Sequence, residues 1–215
     1  MLARWQRIEA LTGIAMVVLA VVGLLIAGGQ DFLAAPEELA DSYVDDSGRI
    51  IAGTLIASWA VFFFFWFVGA VRNRIRVPET PEGGLPALAF GGGIAASTLL
   101  LVANAASLAA AFRADEDGEI DPAAAALLTD LNGLIIGIAA PVALAVFLAA
   151  TGLVAIATGV LPRWLGWVSL VIALGFLIPV ISYIFWLPFG IWVLFVSVLL
   201  YLRPSEARLR PAPVA

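Results

Sequence analysis

Apolar runs long enough to cross a bilayer recur along this chain, and polar residues are confined to the gaps between them. Runs at residues 8–28, 50–71 and 85–112 each approach or exceed the roughly 20 residues a helix needs to cross about 30 Å of hydrocarbon. Between residues 134 and 202 the only residue carrying a formal charge is Arg163. That stretch is too long for two helices without a turn and too short for four, so spans at 134–160, 165–183 and 186–202 are predicted. Pro162 and Gly166 in "GVLPRWLGWV" punctuate the first boundary, and Pro188 in "YIFWLPFG" punctuates the second. Arg163 then marks a bend at the membrane surface, beside Trp164 and Trp167, whose rings favour the headgroup layer.

The polar gaps carry their own signals. The first apolar run follows Arg4 and Arg7. It exceeds the roughly 7–15 residues of a signal-peptide core and lacks a small-x-small cleavage site, so it reads as a membrane helix. In "APEELADSYVDDSGR", Pro36 followed by Glu37 and Glu38 suits the start of a short interfacial helix. "RNRIRVPETPEGG" is a basic turn and "RADEDGEIDP" an acidic loop. Pro122 fits a first helical position, from which "AAAALLTDLNG" continues unbroken into the fourth span, and Pro141 within that span predicts a kink.

Composition narrows the class. Hydrophobic residues make up 63% of the 215, against roughly 45–50% in soluble domains, and mean hydropathy is +1.06. The expectation is an all-α polytopic helical bundle with six transmembrane helices, forming one domain over residues 1–215. The chain has no Cys and no His, which excludes disulfides, thiolate nucleophiles, Cys-ligated metals, haem ligation through His and the usual proton shuttle. No cofactor, metal, catalytic residue or nucleic-acid partner is indicated. All eleven basic residues are Arg, a bias that suggests GC-rich coding and an actinobacterial source.

Charge placement gives orientation. Arg4, Arg7, Arg72, Arg74, Arg76, Arg163, Arg203, Arg208 and Arg210 fall on one side of the predicted spans, and Arg49 and Arg113 on the other. The positive-inside rule makes the first side cytoplasmic, with both termini there, residues 203–215 as a cytoplasmic tail and the plasma (inner) membrane as the location. The two external loops hold most of the acids behind the net charge of −5. "DEDGEID" does not match the spacing of an EF-hand loop and reads as solvated.

"RIEALTGIAMVVLAVVG", "RIIAGTLIASWAVFFFFWFVGAVR" and especially "ATGVLPRWLGWVSLVIALG" resemble the bacterial domain-of-unknown-function 4386 family. The likeness spans most of the chain, and its specific part is the Pro-Arg-Trp-Leu-Gly turn. It implies a six-helix integral membrane protein and supplies no catalytic residues.

Polar side chains inside the spans are the candidates for function, because they are costly in hydrocarbon without a partner. Asn104 and Ser107 share a helix face about 8–12 Å below the external end. Thr54 and Ser58 lie one turn apart, Asp130 and Asn132 stand near the external start of span four, and Ser182 and Tyr183 close span five. Together these residues either line a ligand-binding cavity in the outer half or bond the helices to one another. Burial of Asp130 would raise its pKa and suit it to proton transfer; at the interface it would pair with Arg113 or Arg49 instead. Glu9 is expected in the headgroup layer.

Gly133 and Gly137 form a GxxxG motif, and Ala103, Ser107 and Ala111 a small-residue row, so spans three and four are expected to approach closely. Whether that seam lies within one chain or between two copies of a homodimer stays open. Three functions are compatible with the residues. The first is a non-catalytic bundle among membrane lipids that binds a lipid or apolar small molecule, or serves as an accessory subunit. The second is an enzyme acting on an isoprenoid or other lipid-soluble substrate, with aromatic rings such as Trp59, Trp66 or Trp186 for cation–π stabilisation. The third is a small-molecule transporter, for which no internal repeat is found.

Overall fold

The computed structural model describes residues 2–29, 34–76 and 84–202, with the backbone alone for residues 2–10. Among these residues every regular element is helical. The elements are α1 (Leu2–Ala27), α2 (Pro36–Asp45), α3 (Ser47–Ile75), α4 (Gly84–Asp117), α5 (Pro122–Leu134), α6 (Ala140–Thr158), α7 (Arg163–Phe176) and α8 (Ser182–Leu202). A π-helical turn, Ile135–Ala139, fuses α5 and α6 into a 37-residue rod. Among the described residues four segments are long and apolar enough to cross a membrane: α3, α4, the α5–α6 rod and α8. The 14 residues of α7 are fewer, and α1 runs for 26 residues with its side chains described over Leu11–Ala27. The protein is thus an apolar, membrane-embedded helical bundle. Asp31, Arg203, Arg208, Arg210 and residues 77–83 lie outside the described residues, as do the side chains of Arg4, Arg7 and Glu9.

Local chemistry explains the starts of several helices. Pro36 occupies the first turn of α2, where its missing N–H costs nothing. Asp121 caps α5 by accepting a hydrogen bond from the Ala124 amide at 3.0 Å, with Pro122 behind it. Gly159, at φ +68°, ends α6 in the left-handed conformation that glycine adopts without penalty, and Pro162 then leads into α7. Arg163, Trp164 and Trp167 are all exposed at the start of α7, as expected of a bend.

The helices form a ring. α1 packs on α3, α3 on α4, α4 on α6 and α6 on α7, and α8 closes the circle against α7 and α1. Aromatic rings fill the centre. Phe64 and Phe67 of α3, Phe147 of α6, Phe176 of α7 and Phe189 and Trp192 of α8 are all buried. Phe147 meets Phe64 edge-on at 6.1 Å and Trp192 edge-on at 5.8 Å, geometry worth about 0.5–1.5 kcal/mol per pair beyond area burial. Hydrocarbon offers no hydrophobic drive between helices, so close approach has to come from small residues. A Cβ on Gly92 would lie 2.7 Å from the Phe147 amide nitrogen, and one on Gly23 2.8 Å from that of Ala57. Gly152 and Gly166 face one another in the same way between α6 and α7.

A second, smaller core sits at the acid-rich end of the ring. There Leu39, Ala40 and Tyr43 of α2 pack on Ala110, Ala111 and Ala114 of α4 and on Ala125 of α5. The 34 residues of α4 extend about 51 Å, well over the roughly 30 Å of a hydrocarbon core. This length lets α4, with α3 and α5, hold α2 beyond the level where α7 and α8 meet.

Three expectations change. The second break in the 134–202 run falls at residues 177–181, where Pro179 lies, and not at Pro188, which is inside α8. One missing backbone bond is tolerated within a membrane helix whose neighbours pack around it. Ser182 and Tyr183 therefore begin α8 and do not end the preceding helix. At Pro141 the expected kink takes the form of the π turn just before it, a recognised way for a helix to absorb a bond that proline cannot make. The third change concerns the GxxxG motif, whose Gly137 faces the ring of Tyr183 on α8. Spans three and four do approach closely as expected, at Gly92 against α6 and where Asn132, next to Gly133, reaches the Ala103 carbonyl, and the Ala103 and Ala111 row is buried within the chain.

Candidate functional site

Of the candidate polar side chains, Ser58, Asn104, Asn132, Ser182 and Tyr183 join helices in pairs. Ser58 Oγ donates to the Thr54 carbonyl at 2.9 Å and accepts from Asn104 Nδ2 at 3.1 Å, tying α3 to α4. Asn132 Nδ2 donates to the Ala103 carbonyl at 2.8 Å, tying α5 to α4. Ser182 Oγ donates to the Gly137 carbonyl at 2.7 Å and Tyr183 Oη to that of Gly133 at 3.0 Å, tying α8 to the π turn and the end of α5. Each such bond is worth about 0.6 kcal/mol on average in a membrane bundle.

Ser107 does not join Asn104, its neighbour on the helix face. It belongs with Tyr43, which is wholly buried and whose Oη lies 3.2 Å from Thr129 Oγ1. Burial pushes the Tyr43 phenol above the ordinary value of 10.0, while hydrogen bonds to Thr129 and Ser107 pull it partly back. The expected set therefore divides into an Asn104–Ser58–Thr54 group, an Asn132 contact, a Tyr183 contact and a Ser107–Tyr43–Thr129 group.

Asp130 stands apart and is exposed on α5. The arginines expected beside it have other partners: Arg49 pairs with Asp46 at 2.7 Å and Arg113 with Asp117 at 2.9 Å. Among the described residues no three Asp or Glu side chains are placed to hold a metal ion. An open cleft of about 750 Å³ lies between the end of α4 and the start of α5, with Ile120 and Leu128 at its apolar floor and Arg113, Asp117 and Glu119 on its rim.

Sequence reasoning missed Tyr43 and Thr129. The available signal was Leu39 and Tyr43 four apart on the otherwise polar α2, which marks an inward stripe. It also missed the buried bond from Trp192 Nε1 to Ser169 Oγ, 2.8 Å long, which joins α8 to α7. Comparison of the chain with models of known protein families, with curated proteins and with solved structures found no match.

Proposed function

We propose that this protein is a non-catalytic membrane bundle that binds a lipid or apolar small molecule, or serves as an accessory subunit of a membrane assembly. The observation that carries the reading is the centre of the ring, where packed aromatic side chains occupy the position that a substrate chamber or a conduction path would need. An enzyme acting on an isoprenoid would draw on Asp130 in a closed cavity, and Asp130 is exposed. In the proposed topology six helices cross the plasma membrane, with α1 and α7 completing the set of four long ones and both termini in the cytoplasm. Arg72, Arg74, Arg76 and Arg163 mark the cytoplasmic end, and the two arginines of the other end are already paired with acids. The same proposal places the chain with the domain-of-unknown-function 4386 family on its 162–166 turn.

The ligand contact is assigned to the seam between α3 and α4. Asn104 and Ser58 are half-buried there, so a lipid can reach a polar pair. Native mass spectrometry of the protein released from its own membrane tests this. A distinct lipid or apolar adduct is expected on the wild type and is lost from Asn104→Leu. Bare protein in both samples refutes the ligand-binding reading, and tags at the two ends reporting opposite faces refute the topology.

A further inference from the structure

Helix α2 belongs to a core of its own, separate from the aromatic core of the ring. Of its ten residues only Leu39, Ala40 and Tyr43 are buried, and segments with so few buried apolar contacts open locally at far less cost than global unfolding. Its outward residues Glu37, Glu38 and Asp45 are exposed acids, and they share this end with Asp115, Glu116 and Asp117 of α4. The like charges repel, and the two arginines of this end are taken up by Asp46 and Asp117. The connection from α2 to α3 is the single residue Asp46, at φ −113° and ψ 14°. Opposing these forces is the phenol of Tyr43, whose Oη lies 3.2 Å from Thr129 Oγ1 where α2 crosses α5 and which also hydrogen-bonds Ser107 of α4.

We propose that α2 is a lid over the small-residue surface of α4 and α5 at the acid-rich end, hinged at Asp46 and latched by the Tyr43–Thr129 hydrogen bond. Its opening uncovers Thr129 and Ala125, which are wholly buried, and widens access to the half-buried Ser107. This holds whether or not the bundle binds a lipid, and whichever side of the membrane α2 occupies.

The chain contains no cysteine, so a single introduced thiol reports opening without background. Ser107→Cys and, as a second probe that leaves the latch intact, Ala125→Cys are reconstituted in lipid nanodiscs, where both faces meet a soluble maleimide. Slow labelling is expected in each, accelerated about fivefold by Tyr43→Phe, the change that loss of one hydrogen bond gives, and also accelerated by Leu39→Ala. The thermal midpoint of the whole bundle is expected to hold constant in Tyr43→Phe. Equal labelling rates with and without Tyr43 and Leu39 overturn the proposal, and so does labelling that proceeds only at the rate of global unfolding.

Discussion

Ser182 Oγ lies 2.7 Å from the carbonyl oxygen of Gly137, the carbonyl that Pro141, four residues further on, has no N–H to bond. Proline removes one donor from the rod and a serine on another helix replaces it. The same hydroxyl also lies 3.0 Å from the Pro179 carbonyl, so the residue that serves the rod also closes the turn before α8. Ser182→Ala is expected to lower stability by about 1–3 kcal/mol, because a buried carbonyl loses its partner. In a Pro141→Ala background the restored amide competes for Gly137, and the serine should then matter less, by about 1 kcal/mol. A double-mutant cycle by denaturant unfolding in mixed micelles measures the difference; additive losses would contradict the shared carbonyl.

Gly91 and Gly92 are neighbours with opposite surroundings. A Cβ on Gly92 would meet the Phe147 nitrogen at 2.7 Å and the Ala143 oxygen at 2.9 Å, both backbone atoms, whereas one on Gly91 meets nothing within 4 Å. Gly92→Ala is therefore expected to cost about 1–3 kcal/mol as α4 is pushed off α6. Gly91→Ala is expected to gain up to about 1 kcal/mol through helix propensity. The same unfolding assay reads both, and equal effects would mean that α4 and α6 are farther apart than described.

Trp192 and Ser169 join α8 to α7 through a buried 2.8 Å bond. Ser169→Ala leaves the indole N–H without its partner in an apolar core, a loss of about 1–3 kcal/mol. Adding Trp192→Phe removes the orphaned donor, so the serine substitution should then cost little. Persistence of the full loss in the double variant would show that packing, not the hydrogen bond, holds this pair.

The phenol of Tyr43 titrates above the ordinary value of 10.0 because burial disfavours its anion. Its folded pKa exceeds the unfolded one, so its contribution to holding α2 in place is complete below about pH 10 and is lost as pH rises through the folded value. Tyrosinate absorbance recorded against a Tyr43→Phe reference is expected to show one phenol titrating late, together with release of α2. An ordinary titration curve for that phenol would place Tyr43 in solvent.

What the sequence disclosed follows a physical division. Pro36, Pro122 and Pro162 act through the backbone of their own residues, so local chemistry was enough to read them, whereas Gly166, read as part of the same break as Pro162, lies inside α7 against Gly152. Pro179 and Pro188 are both proline in apolar surroundings. What distinguishes them is Ser182 reaching Gly137, a contact spanning 45 positions that no local pattern encodes. The polar residues were legible one helix at a time. Asn104 and Ser107 share a helix face, yet one turns to Ser58 on α3 and the other to Tyr43 on α2, because two different helices cover that face at different heights.

The unequal helices also act on the surroundings. α7 has 14 residues and extends about 21 Å, roughly a third less than ordinary hydrocarbon thickness. If α7 crosses the membrane as the proposed six-helix topology has it, acyl chains beside it must shorten or splay, or the whole body must lean to submerge that side. The lipid annulus is consequently uneven around the circumference, and thin, fluid membrane patches are where this protein should concentrate.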